Sequence, residues 1–133
     1  MKTDRRQFVQ AVLEGVAFAF RDCLAALQVA GSDIERATAL GGGAASRLWL
    51  AILANVLDRP LDRPRDSELG AAYGAAHLGM AAALGGDPVA IMTPPTLAET
   101  VAPDPEMVAR YADSYARYRA LYPATRKIMQ GSA

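Results

Sequence analysis

Arg36-Ala-Thr-Ala-Leu-Gly41-Gly-Gly-Ala-Ala-Ser46-Arg-Leu-Trp49 sets the plan of the chain: a short apolar strand signal, three successive glycines, then the opening of a helix. Glycines between a strand and a helix let the backbone take positive φ and leave no Cβ in the path of a ligand approaching the main chain. The helix that follows presents unpaired N–H groups and a partial positive charge, which suit a phosphate or the polar edge of a heterocycle. The pattern points to a nucleotide without saying which.

Upstream of this turn, residues 5–30 read as one long helix. Phe8, Val12, Val16, Ala19, Cys23 and Ala26 or Leu27 lie on one face, with Leu13, Phe20 and Leu24 close beside it. It is apolar nearly all round, the mark of a helix buried on several sides and central to a larger body. Glu14 sits within that run, where an unpaired carboxylate would be costly, so it reads as a satisfied structural acid. Cys23, the one cysteine, reads as a small buried apolar residue and has no partner for an internal disulfide.

Gly31, Ser32 and Asp33 end the first helix, and residues 34–40 supply the first strand. Ala45 or Ser46 opens a second helix through Leu57, with Leu48, Trp49, Ile52, Leu53, Val56 and Leu57 at helical spacing; Asp58-Arg-Pro60 stops it. Leu61 to Arg63, set between two helices, suggests a short second strand parallel to the first. Asp66 or Ser67 caps a third helix to about Leu84, rich in small residues. His77 on that helix has no companion at a metal-ligand spacing and reads as structural. Residues 88–103 hold four of the eight prolines and read as an extended strap. Asp104 and Pro105 open the last helix, where Tyr111, Tyr115, Tyr118 and Tyr122 share a stripe suited to docking; Pro123 is expected to kink or end it.

With 133 residues and 52% hydrophobic content, the chain fits one domain with a substantial core. Fourteen basic residues balance fourteen acidic ones and are scattered, so neither nucleic acid nor an acidic membrane surface is expected as a partner. Met1 to Phe8 resembles a twin-arginine export signal, but Glu14, Arg21 and Asp22 interrupt the apolar run behind it. No stretch reaches the roughly 18 uninterrupted apolar residues of a membrane helix. A cytoplasmic location is the expectation.

Two chemistries compete for the turn. A dinucleotide-binding fold would place an acid for the ribose about 20 residues beyond the glycines, and Asp62 sits nearly there. Against it, the motif lacks the third glycine, the first strand follows a long helix, and only two strands are visible. A Walker loop is excluded because no Lys-Ser or Lys-Thr pair follows the glycines.

The second chemistry is that of a sugar kinase. Residues 7–14, continuing through Gly15-Val-Ala-Phe18, resemble the downstream half of a signature of the FGGY carbohydrate kinases. Residues 41–49 resemble the adenosine loop of the same family, most closely that of its xylulose kinases. Ala54 to Pro60 and Glu68 to Ala76 continue the likeness in the right order and spacing, and Tyr118 to Pro123 is similar to the family's C-terminal helix.

The resemblance implies the C-terminal, ATP-binding part of the actin, Hsp70 and hexokinase type of α/β ATPase fold, helix-rich with about two short strands across residues 1–133. Its implied activity is transfer of the γ-phosphate of ATP to a ketopentose such as xylulose. It implies adenosine contacts at Gly43 and Ser46, with Gly42 and Ala44 as neighbours and Arg47 as an alternative to Ser46. Asn55 stands where relatives usually carry aspartate, a change read as a matter of local packing or capping. The sugar-binding domain, the phosphate loops, the Mg2+ acid and the catalytic aspartate would lie upstream, so no catalytic or metal residue is assigned here. Phosphoryl transfer depends on those parts, and the isolated chain is expected to be inactive. It is expected to belong to a longer kinase or to self-associate, since its strand edges and first helix would otherwise be uncovered. A non-catalytic interaction module on a degenerate kinase scaffold is the alternative from another class.

Overall fold

The computed structural model of the chain describes residues 4–85 and 87–131. Helix α1 (Arg5–Val29) leads to strand β1 (Ala37–Thr38); a 3-10 turn (Gly42–Ala45) opens α2 (Arg47–Leu57), which returns to β2 (Leu61–Pro64). A second 3-10 turn (Ser67–Leu69) precedes α3 (Gly70–Leu84). After α4 (Pro88–Ile91), strand β3 (Leu97–Val101) leads to α5 (Pro105–Met129).

The sheet has the order β1-β2-β3, with β1 and β2 parallel and β3 antiparallel to β2. Ala37 and Ala39 N–H donate to the carbonyls of Pro60 and Asp62 at 3.1 and 2.8 Å, which sets the parallel register. The expected parallel pair is therefore present, and a third strand joins it inside the stretch read as a strap. Leu97-Ala-Glu-Thr-Val101 breaks apolar alternation at Glu99, so its strand character comes from pairing rather than from pattern. Opposite it, Arg63 Nε donates to Glu99 Oε1 at 2.8 Å. Pro64, without an N–H, coincides with the shift of register at the end of this ladder.

The helix at the centre of the molecule is α2. Ile52 and Val56 pack against Ala17 and Phe18 of α1 and Tyr111 of α5, while Leu50 and Ala54 pack onto Leu61 of the sheet. By contrast α1, expected to be buried on several sides, buries only Ala17 and Phe18, and Cys23 is exposed on it rather than buried. An all-apolar sequence states that a helix can be covered on every side; how much of it is covered depends on what is there to pack.

The tyrosine stripe docks as expected. Phe18 is ringed by Tyr111, Tyr115 and Tyr118, with centroids 6.2, 5.9 and 5.4 Å away, and Tyr122 lies outside in solvent. Pro123 does not end α5, which continues to Met129; the carbonyl deprived of a donor, on Arg119, lies at an exposed position where water can reach it.

Polar side chains fix the seam. Glu14 accepts from Gln10 Nε2 at 2.8 Å and from the Tyr111 hydroxyl at 3.3 Å, the satisfied acid anticipated from sequence. Asp22 Oδ1 accepts from the Tyr115 hydroxyl at 2.5 Å and from Arg119 at 2.6 Å. The Tyr115 hydrogen bond, helped by Arg119 and opposed by partial burial, holds the Asp22 carboxyl below its ordinary range. Burial, with the neighbouring carboxylate, pushes the Tyr115 and Tyr111 hydroxyls up. Asn55 Oδ1 accepts the Asp104 N–H at 2.7 Å, and Asp104 in turn caps α5 through the Glu106 N–H at 2.9 Å. Asn55 thus ties the start of the last helix to α2.

Candidate functional site

The glycine turn begins where β1 ends. Gly41 takes φ 86, and its N–H donates to the Ser67 carbonyl at 2.6 Å. Of the three glycines, Gly41 alone uses the left-handed region that favours glycine. Gly42 and Gly43 then enter the 3-10 turn, where Ala44 and Ser46 N–H donate back to Gly41 and Gly43 carbonyls at 3.0 and 3.1 Å. The amides of Gly42 and Gly43 find no backbone acceptor among the described residues. Gly70, at φ 45, backs onto the turn: a Cβ there would sit 3.7 Å from the Gly41 nitrogen. The small residues at the head of α3 therefore let the second 3-10 turn close on the first.

The five residues singled out for adenosine contact do not share one surface. Gly42 is exposed, and a Cβ on it would meet nothing within 4 Å. Gly43 is exposed too, but a Cβ there would meet the Trp49 ring, 3.3 Å from Cδ1 and 3.4 Å from Nε1. Ala44 is buried, and its N–H is used within the turn by the Gly41 carbonyl. The Ser46 hydroxyl oxygen caps α2 by accepting the Trp49 N–H at 3.3 Å, which still leaves its proton to donate. Arg47 reaches across to β3, where its Nη2 pairs with Glu99 Oε2 at 3.1 Å while most of the side chain stays in solvent.

Two concave spaces lie near the turn, and of the two the smaller is the one lined by its residues, Gly43 and Ala44. A cleft of about 700 Å³, whose lining includes Thr38, Leu40, Gly70, Tyr73, His77 and Thr96, opens beyond the C-terminal ends of the parallel strands. In such sheets ligands are taken at those ends. A smaller apolar groove of about 360 Å³ runs past Gly43, Ala44, Trp49 and Phe20. His77 lies tilted against Tyr73 with centroids 4.2 Å apart and bonds the Tyr73 carbonyl through Nδ1 at 2.9 Å. Among the described residues no cluster of three or more acids, histidines or cysteines is placed to hold a metal ion, and no helix is long and apolar enough to cross a membrane.

Asp62 removes the dinucleotide alternative. It is buried in β2, accepting from Arg36 Nη1 at 2.9 Å and from the Thr100 hydroxyl at 2.6 Å, so its carboxylate is used in holding the three strands together. It is not free to receive a ribose.

Comparison with known proteins decides between what remains. The C-terminal domain of the FGGY family of carbohydrate kinases matches residues 1–83, well over half of the chain. The chain belongs to this family. The xylulose kinase of Escherichia coli (strain K12) is 31% identical over 117 residues, covering 87% of this chain and 24% of that protein. Among solved structures, the xyloylose kinase of Brucella ovis is 50% identical with a TM-score of 0.85, covering 94% of this chain and 26% of that one. The xylulose kinase of Rhodospirillum rubrum is 32% identical with a TM-score of 0.79, covering 98% and 27%. The FGGY chain described here thus has the C-terminal architecture of the actin and hexokinase type of ATPase fold, and spans about a quarter of the length of these relatives.

Sequence reading missed three parts of this site. Ser67 contributes a carbonyl, which no residue type announces. Gly70 acts through its contact with Gly41, 29 residues earlier in the chain, although a glycine right after Glu-Leu was a visible hint. Glu99 lies on the strand that the prolines disguised, and joins Arg47 and Arg63.

Proposed function

We propose that this FGGY segment positions the adenosine part of ATP for a kinase that phosphorylates a ketopentose such as xylulose. The observation that carries the reading is the pair of exposed amides at Gly42 and Gly43, without backbone acceptors, between the positive-φ Gly41 and the first turn of α2. Two adjacent N–H groups at such a bend suit a polar atom of the nucleoside, and the missing side chain at Gly42 leaves room for it. Ser46 retains a hydroxyl proton to donate beside them, and Ala44 supports the turn from below. Arg47, paired with Glu99 of β3, ties the start of α2 to the sheet.

ATP supplies the γ-phosphoryl group, while the residues that hold Mg2+ and the sugar and the aspartate that deprotonates the sugar hydroxyl belong to the rest of the kinase. Transfer needs those groups in line with the phosphate, so the isolated chain binds nucleotide at most and turns over none. The likeness to xylulose kinases over 87% or more of the chain supports the choice of sugar class. Calorimetric titration of the 133-residue chain with ADP tests the reading directly. Saturable heat that competes with adenosine supports it; the same heat with pyrophosphate alone, or none with ADP at millimolar concentration, overturns it.

A further inference from the structure

Helix α3 is made almost wholly of small and aliphatic residues: from Gly70 to Leu84 only Tyr73 and His77 carry a ring. Set one helical turn apart, both line the cleft of about 700 Å³, and Gly74 lines it beside them. Their rings touch at 4.2 Å between centroids, and His77 Nδ1 sits 2.9 Å from the Tyr73 carbonyl. A carbonyl only accepts, so Nδ1 carries the proton of that bond and Nε2 is the free edge of the ring. The ends of the parallel strands form a second wall, where Pro64 is fully buried and Arg65 joins no ion pair among the described residues. The segment after α4 forms a third, and the Arg65 N–H donates to the Thr96 carbonyl at 3.0 Å, which ties this wall to the sheet. None of the residues assigned to adenosine, from Gly42 to Arg47, lines the cleft.

These walls prescribe a ligand. Small-molecule clefts run to roughly 300–1,000 Å³ and are mostly apolar with a few convergent polar groups, the make-up found here. Tyr73, Leu40, Met92 and Pro94 offer apolar surface to a flat ring. Gly74 leaves the helix bare for it, since a Cβ there would meet nothing within 4 Å. Arg65 brings a guanidinium fork, which matches a carboxylate, and His77 Nε2 is a second polar contact. Asp66 lines the cleft next to Arg65, so the charges suit one anionic group and not a polyphosphate. We propose that the cleft between α3 and the C-terminal ends of β1 and β2 is a second ligand site, taking a planar aromatic molecule that carries one carboxylate. This site does not depend on the nucleotide reading of the glycine turn, and either can fail alone.

His77 is the chain's one histidine, so its ring signals in NMR report on the cleft alone. The 133-residue chain is titrated with naphthoate, and each protein is also melted. The expected result is a saturable shift of the His77 ring at millimolar concentration or below, about tenfold weaker in Arg65→Gln. Naphthylmethanol, which has the ring without the charge, should also bind about tenfold more weakly, and acetate, the charge without the ring, should leave His77 unmoved. Gly74→Leu fills the cleft, and leucine favours a helix over glycine, so the melting temperature should hold or rise while the shift is lost. A His77 signal indifferent to naphthoate overturns the proposal, as does an equal response in Arg65→Gln. An unaltered shift in a stable Gly74→Leu variant overturns it too, because the probe then sits on exposed apolar surface outside the cleft. Arg65 is exposed, so Arg65→Gln decides the matter even where Gly74→Leu melts early.

Discussion

The glycine turn and the seam between α1 and α5 are held in opposite ways. The seam is made of side chains: an aromatic cluster around Phe18, closed at either end by Glu14 with Tyr111 and by Asp22 with Tyr115 and Arg119. At the turn, backbone does almost everything: Gly41 bonds the Ser67 carbonyl, Gly70 backs onto it, and two amides remain open. The difference teaches where this fold keeps its stability and where it keeps its chemistry. Buried rings resist opening, whereas backbone donors aimed outward are available because nothing inside has claimed them.

Four substitutions bear on that contrast, from the largest effect to the smallest. Phe18→Ala empties the centre of the seam and is expected to lower stability by about 3–5 kcal/mol in denaturant titration. Gly43→Val forces a branched side chain towards the Trp49 ring, 3.3 Å from where its Cβ would stand, and is expected to cost about 1–3 kcal/mol. It should also weaken ADP binding, because the new side chain stands beside the open amides of the turn.

Gly42→Val separates the two properties. Its Cβ points into open space, so stability should stay within about 0.5 kcal/mol while ADP affinity drops about tenfold, or 1.4 kcal/mol. An unaltered calorimetric Kd for this variant would remove Gly42 from the nucleotide site. Tyr115→Phe gives the smallest effect, a loss of stability above about pH 4 that disappears in acid. The folded pKa of Asp22 lies below its ordinary 3.8, chiefly through the Tyr115 hydroxyl. Its contribution to stability is therefore complete above that unfolded value and disappears as pH falls through the folded one. Without the hydroxyl, the decline in melting temperature between about pH 5 and 2 should be shallower than in the parent chain. Identical acid limbs would show that the bond contributes nothing to the seam.

Local rules were legible in the sequence. The strand, the glycines and the second helix appear in the order read from Arg36 to Trp49, Ser46 caps that helix, and Asp104 with Pro105 opens the last one. Each depends on residues within a turn or two of one another: a hydroxyl or carboxylate reaching an amide, a fixed proline φ, a missing Cβ. The apolar period of α1 was legible too, and so was the docking stripe on α5.

What only the tertiary structure decided involves partners distant in the chain. It made α2 rather than α1 the central helix, because the sheet covers one side of α2 and the α1–α5 pair covers the other. It turned residues 97–101 into a strand through pairing with β2, and bound Asp62 to Arg36 and Thr100. It also set Trp49 against Gly43 while leaving Gly42 clear. Glycine in a sequence states that a side chain is absent; which atoms fill the space it leaves is settled by packing.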